Sequence, residues 1–174
     1  MNIKFWRQAS VYCNDDFICI QTNSGYAGIS IVDPRGAMHL LEKNVANDEL
    51  GLALLDALSK TRFVLPAPRQ DIWIPPCVTF DLDLYDPRKG DERYRKWMRD
   101  LMDRYGYKTK RSMFKNMIRC GVEDGDGFIV IKPTRHIQLE VWEGLEDESF
   151  VAIPSSAHSV EVGAALRRAM ARCV

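Results

Sequence analysis

The chain has 174 residues, 46% of them hydrophobic and 28% charged, which suits a soluble globular protein with a core and excludes wholesale disorder. Lys plus Arg equals Asp plus Glu at 24 each, so the chain as a whole carries no bias towards polyanions. No apolar run approaches the roughly 20 residues of a membrane helix.

The opening MNIKFWRQASVYC lacks the unbroken apolar core and small-residue cleavage site of a signal peptide, so a cytosolic protein is expected. Residues 9–13 (ASVYC) and 17–21 (FICIQ) are short β-branched or aromatic runs split by Asn14-Asp15-Asp16, which reads as a hairpin. The glycines and proline of NSGYAGISIVDPRG predict a loop carrying one short strand. Asn47 is the predicted cap of a helix over 48–60, with Asp48 and Glu49 at the positive end of its dipole. Leu50, Ala53, Leu54, Ala57 and Leu58 form its apolar stripe. Four prolines in PAPRQDIWIPP (66–76) exclude a helix, and the whole 66–90 segment reads as a Pro-rich, acidic loop or arm. Trp73 is expected to anchor it to the body.

Tyr94, Trp97, Met98, Leu101, Met102 and Tyr105 recur at helical spacing over 91–105, and Gly106 stands where a left-handed C′ residue is wanted. A second helix is predicted from Thr109, as N-cap, to about Arg119, with Met113, Phe114, Met117 and Ile118 inward. Lys108, Arg111, Lys115 and Arg119 would line its opposite face. After Gly121 the period changes: EDGDG (123–127) reads as a tight turn into the strand FIVIK. IQLEVW (137–142) and SFVAI (149–153) are two more strands. Ser155, Ser156 or Ser159 would cap a last helix that buries Val162, Ala165, Leu166, Ala169, Met170 and Cys173. The order predicts one α+β domain over 1–174, a largely antiparallel sheet packed with about four helices.

Five cysteines (13, 19, 77, 120, 173) form no CxxC pair, and none of the three histidines stands at ligand spacing to one, so no metal or cofactor is expected. An EF-hand beginning at Asp124 would need a glutamate where Arg135 stands. No GxSxG, HExxH or phosphate-cradling glycine loop is present, and His136 beside Arg135 is the sole handle for an enzyme.

Charge is unevenly placed. Arg93 to Arg119 holds ten Lys or Arg against two Asp, a local +8, whereas Cys120 to Glu161 holds nine acids against two bases, a local −7. Lys108, Lys110, Arg111, Lys115 and Arg119 could contact nucleic acid. The aromatics among them fall in the apolar stripes, however, where a core role is expected for Tyr94, Trp97, Tyr105 and Phe114. Asp124, Asp126, Glu140, Glu143, Glu146, Asp147 and Glu148 form the acidic surface that would meet a basic partner.

The segments YGYKTKRSMFKNMIRCG (105–121), IKPTRH (131–136), WEG (142–144) and PSSAHSVEVGAALRRAMARC (154–173) resemble those of the contact-dependent growth inhibition immunity proteins. SGYAGIS (24–30) and LGLALLDALSKTRF (50–63) are similar in the same order. The resemblance implies a cytosolic, non-catalytic inhibitor. It would bind, one to one, the C-terminal toxin domain of a large delivered surface protein, commonly a nuclease, with an RNase A-like toxin associated with this type. It also implies that the basic segment is scaffold. It assigns no interface residue, so the seven acids stand on charge alone, with a nucleic-acid-binding module as the alternative and a small hydrolase at His136 behind it.

Overall fold

The computed structural model describes residues 4–174; the first three residues, part of the stretch read as lacking a signal peptide, lie outside it. In chain order the elements are β1 (Arg7–Cys13), β2 (Phe17–Ser24), β3 (Ile31–Val32), β4 (Met38–Glu42), α1 (Asn47–Ser59), β5 (Phe63–Leu65), β6 (Val78–Phe80) and α2 (Leu82–Tyr85). There follow α3 (Pro87–Tyr105), α4 (Lys110–Phe114), β7 (Ile118–Gly125), β8 (Phe128–Gln138), β9 (Val141–Gly144), a 3-10 turn (Asp147–Ser149), β10 (Val151–Pro154) and α5 (Ser159–Met170).

The main sheet runs β10-β8-β7-β1-β2-β3, with β4 also on β2 and β9 also on β8, and all of these pairings are antiparallel. β5 and β6 form a small parallel pair apart from it. The expected α+β fold is therefore present.

Asn14 explains the first hairpin. Its Oδ1 accepts the backbone N–H groups of Asp16 (2.9 Å) and Phe17 (3.1 Å), the Asx geometry that reverses the chain. Its amide donates to Met113 O (3.1 Å) and Tyr107 Oη (3.0 Å), which ties this turn to the basic segment.

Every residue of β2 is buried, because helices cover both faces of the sheet there. Ile18 and Ile20 join Ala9 and Val11 under α1 and α5. Phe17 and Cys19, one residue out of phase, pack with Trp97, Leu101, Met113, Phe114 and Met117 of the α3–α4 layer. The unbroken apolar run FICI is the sequence trace of this double burial.

α1 and α5 cross where each has a glycine. A Cβ on Gly51 would lie 1.8 Å from Ser159 O, and one on Gly163 would lie 1.9 Å from Asn47 O. Both obstacles are backbone, so they cannot swing aside. We expect Gly163→Ala to cost about 3 kcal/mol through overpacking, net of the helix propensity that alanine adds. A urea melt unchanged from the wild type would show that the helices can part freely.

Several local expectations give way. Asn47 lies inside α1 behind the N-cap Ala46, and its Oδ1 accepts from Arg167 Nε at 2.9 Å instead of capping. His158, not a serine, precedes α5; Ser159 Oγ bonds Asp48, and Ser155 Oγ bonds Asp124 at 2.6 Å. Trp73 is 76% exposed and anchors nothing, because the loop's apolar contacts are made by Ile72 and Ile74. Residues 66–77 hold no helix or strand, but 78–90 hold β6, α2 and the first turn of α3. That helix starts at Pro87, capped by Asp86 whose Oδ1 accepts from Arg88 N at 2.9 Å, four residues earlier than the stripe suggested.

The largest difference lies in the basic segment. Thr109 does cap α4, with a capping box to Ser112, and Gly106 is left-handed at φ 72°. α4 nevertheless ends at Phe114, because Ile118 onwards pairs with β1 from Cys13 to Arg7. Arg119 is consequently a strand residue, and the four-cation helical face does not exist. IQLEVW likewise splits, with Leu139-Glu140 turning the chain from β8 into β9.

Candidate functional site: an acidic edge and an apolar cleft

The β8–β9 hairpin carries the acidic cluster, and its position is set by two aromatic contacts. Trp142 Nε1 donates to Met117 O at 3.1 Å, and the His136 ring stacks on Trp142 with centroids 4.8 Å apart. Glu140, at the hairpin turn, accepts from Tyr94 Oη at 2.7 Å and pairs with Lys110 at 3.4 Å. Partial burial, followed by that bond to Glu140, raises the Tyr94 phenol well above its usual range, so it stays protonated as the donor. Glu140 is thus an internal tie between the acidic hairpin and the basic layer.

Glu143 lies on β9 opposite Arg135, Glu146 precedes the 3-10 turn without a capping side-chain bond, and Asp147 and Glu148 lie within it; all four are exposed. Arg172 holds the end of that turn through Ser149 O and Phe150 O, both at 2.9 Å. Glu140→Ala should lower stability by about 1 kcal/mol, whereas Glu143→Ala should stay within about 0.5 kcal/mol in chemical denaturation. Equal effects would contradict these separate roles.

Asp124 and Asp126 are elsewhere. They belong to the β7–β8 turn, where Asp126 (φ 54°) and Gly127 (φ 86°) both take the positive φ of a type I′ hairpin. Asp124 accepts from Ser155 and lies 3.9 Å from Arg7, while Asp126 pairs with Lys4 at 3.2 Å. β8 runs from this turn to the tip of the acidic hairpin, which puts Glu140 about 30 Å away at the usual rise of a strand. Glu143, opposite Arg135, and the 3-10 turn beyond Leu145 lie nearer, alongside β8. The seven acids therefore form two groups, and only Glu143, Glu146, Asp147 and Glu148 make a continuous exposed edge.

The five basic candidates are also divided. Lys110 is engaged by Glu140, and half-buried Arg119 lies over the Tyr12 ring at 5.8 Å. Lys108, Arg111 and Lys115 are exposed. Of the aromatics, Trp97 and Phe114 are core, Tyr105 is half-buried and stacked on Phe17 at 4.8 Å, and Tyr94 is 37% exposed. His136 Nε2 lies 3.1 Å from Leu139 O, so its ring is occupied within its own hairpin. Among the described residues, no three His, Cys, Asp or Glu side chains converge where an ion could sit.

A further feature escaped sequence reasoning. Between α3 and the β2–β3–β4 edge lies a cleft of about 740 Å³, lined by Tyr12, Val32, Met38, Leu40, Tyr94 and Trp97 with Arg93, Lys96 and Arg104 from α3. Met38 is 56% exposed at its mouth. The segments meet only in the folded chain. Their one local signal is the alternation of MHLLE, in which Leu40 faces the α3 layer and Leu41 faces α1.

Three comparisons bear on this arrangement. The family model described as CdiI, CDI immunity protein, matches residues 7–173. Immunity protein CdiI-YPIII of Yersinia pseudotuberculosis serotype O:3 (strain YPIII) is 51% identical over 167 residues, which is 95% of this chain and 94% of that protein. A solved structure, the CdiA-CT/CdiI toxin and immunity complex from Yersinia pseudotuberculosis, matches with a TM-score of 0.95 at 49% identity, covering 99% of this chain and 100% of that one. A protein of unknown function from Neisseria meningitidis matches at 30% identity with a TM-score of 0.85, over 100% of this chain and 99% of that one. With a family match over nearly its whole length and a relative at half identity, the chain belongs to the CdiI family of contact-dependent growth inhibition immunity proteins.

Proposed function

We propose that residues 1–174 act as one non-catalytic inhibitor in the cytoplasm, binding a single copy of the C-terminal toxin domain of a cognate growth-inhibition effector and blocking it. The observation that carries this reading is the 49% identical solved relative, described as a toxin and immunity complex, which matches 99% of this chain. The toxin is proposed to be a nuclease, RNase A-like in kind, because an enzyme that grips polyanions presents a basic surface. The exposed edge Glu143, Glu146, Asp147 and Glu148 supplies the complementary charge. Glu140 supports that edge as a tie to Tyr94 and Lys110, whereas Asp124 and Asp126 lie at the β7–β8 turn, apart from it.

The test mixes the purified chain with the C-terminal domain encoded immediately upstream and measures association and residual toxin activity. A one-to-one complex with loss of toxin activity is expected. Reversing all four edge acids to lysine should slow association about 10- to 100-fold at low salt, with a smaller effect at high salt. If association is unchanged, while Met38→Asp abolishes it, the binding face is the α3 cleft instead. No complex, together with salt-sensitive retention on RNA, would transfer the function to Lys108, Arg111 and Lys115.

A further inference from the structure

Cys120 and Cys173 are 53 residues apart in sequence, yet their Sγ atoms lie 3.5 Å apart in an S–H···S contact. Cys120 is fully buried in the middle of β7, whereas Cys173 is half-buried in the irregular turn that follows α5. Cys173 is therefore the more exposed residue of the pair, and its Sγ also lies 3.4 Å from Arg119 O. A disulfide needs the sulfurs at about 2.05 Å, and the movement falls on a terminal turn, not on the interior of a strand or helix.

We infer that Cys120 and Cys173 form a reversible dithiol–disulfide site, with Cys173 the attacking thiol and Cys120 the resolving one, oxidised by a low-molecular-weight disulfide such as oxidised glutathione. Cys173 thiolate attacks one sulfur of the oxidant, forming a mixed disulfide and expelling one thiolate. Cys120, giving up its proton, then attacks the Cys173 sulfur and expels the second. Two protein thiols are oxidised, and one small disulfide is reduced to two thiols. Exposure assigns the order of attack, since Cys173 is half-buried and Cys120 fully buried; the shared S–H···S contact holds the Cys173 thiol below its usual value, while that contact and burial raise Cys120. Cys13, on the neighbouring strand β1, is a third buried thiol, but it donates to Asn14 O at 3.5 Å, and burial raises its pKa. In a reducing cytosol such a pair stays as thiols, so oxidation is an event and not a resting state.

The link would act on a defined region. Val174 N donates to Thr134 O at 3.2 Å, His136 N donates to Val174 O at 2.7 Å, and Arg172 holds Ser149 and Phe150. The terminal turn thus braces β8 and the 3-10 turn, and the disulfide would fasten that brace to β7.

The test uses the full chain carrying Cys77→Ser, which removes the exposed competing thiol. After incubation with oxidised glutathione and alkylation in denaturant, two thiols should be lost together with no retained adduct. Peptide mapping should join Cys120 to Cys173, and Tm should rise by about 5–10 °C and fall back with a reductant. Adding Cys120→Ser, or Cys120→Ala if the serine protein does not fold, should leave a stable glutathione adduct on Cys173. All four remaining thiols staying open to alkylation, or a link through Cys13, would overturn the assignment.

Discussion

Replacing Arg62 with alanine should destabilise the protein by about 3–5 kcal/mol, because it strips the cation from the buried Asp33 and leaves Asp81 with Arg35 alone, 3.7 Å away. The Asp33 side chain is 0% exposed and accepts from Arg62 Nε (2.6 Å), Arg62 Nη2 (2.8 Å), Ser24 Oγ (2.6 Å) and Arg35 N (2.9 Å). Arg62 Nη2 also reaches Asp81 at 3.1 Å, and Asp81 caps α2 by accepting from Leu84 N. One guanidinium thus joins the β2–β3 region to the start of α2. Burial alone would push both carboxyls up, but the Arg62 bonds, helped by Ser24 and Arg35 N at Asp33 and by Leu84 N and the Arg35 charge at Asp81, outweigh it and hold each below the usual carboxylate range.

The sign for pH follows from that depression. Stability from Asp33 and Asp81 is complete above the ordinary carboxylate value of about 3.9 and is lost as pH falls through their lower folded values. Without Arg62 the buried Asp33 would titrate upwards, so the gap between wild type and variant should be widest near neutrality and narrow on acidification. Urea melts at pH 7 and pH 4 measure it. A gap that widens towards acid would show that these carboxylates are not held ionised by Arg62.

Phe114→Ala should cost about 3–5 kcal/mol, the range for truncating a buried aromatic. Phe114 is 0% exposed, lies 6.0 Å from the Trp142 ring between centroids, and shares a cluster with Phe17, Trp97 and Met117. Arg111→Glu, three residues away and exposed, should change stability by no more than about 0.5 kcal/mol. The contrast separates two roles for one stretch: its apolar residues fasten a layer onto the sheet, and its cations face water, Glu140 or, for Arg119, the Tyr12 ring. If Phe114→Ala lost less than about 1 kcal/mol in denaturant while RNA retention fell, the segment would be a binding surface after all.

The elements legible beforehand share a property: their evidence is local. The α1, α3 and α5 stripes repeat within a few turns, and Asn14-Asp15-Asp16 and Asp124-Gly125-Asp126-Gly127 contain their own turn chemistry. β4 and β5 were missed because strands of five and three residues acquire identity only from a partner, which for β4 is β2. α4 is shorter than its stripe suggests because Met117 and Ile118 satisfy a helical period, and pairing of Ile118 with Cys13, about a hundred residues back, overrides it. The acidic residues are visible one by one, but their division between the β7–β8 turn and the β8–β9 hairpin is not, because sequence proximity says nothing about which carboxylate finds Tyr94 or Ser155.

By itself, then, the sequence determined the α+β class, the amphipathic helices, the two tight hairpins and, through ordered segments spread over the chain, the family. Those properties depend on residue order over a few positions, where side-chain periodicity and turn geometry are set by the backbone. The tertiary structure alone decided that Arg119 is a strand residue, that Glu140 is a tie, that Cys120 meets Cys173, and that α3 and β4 enclose a cleft. Each of these is a contact between segments far apart in the chain, and its existence is settled by how the sheet and its two helical layers exclude water together.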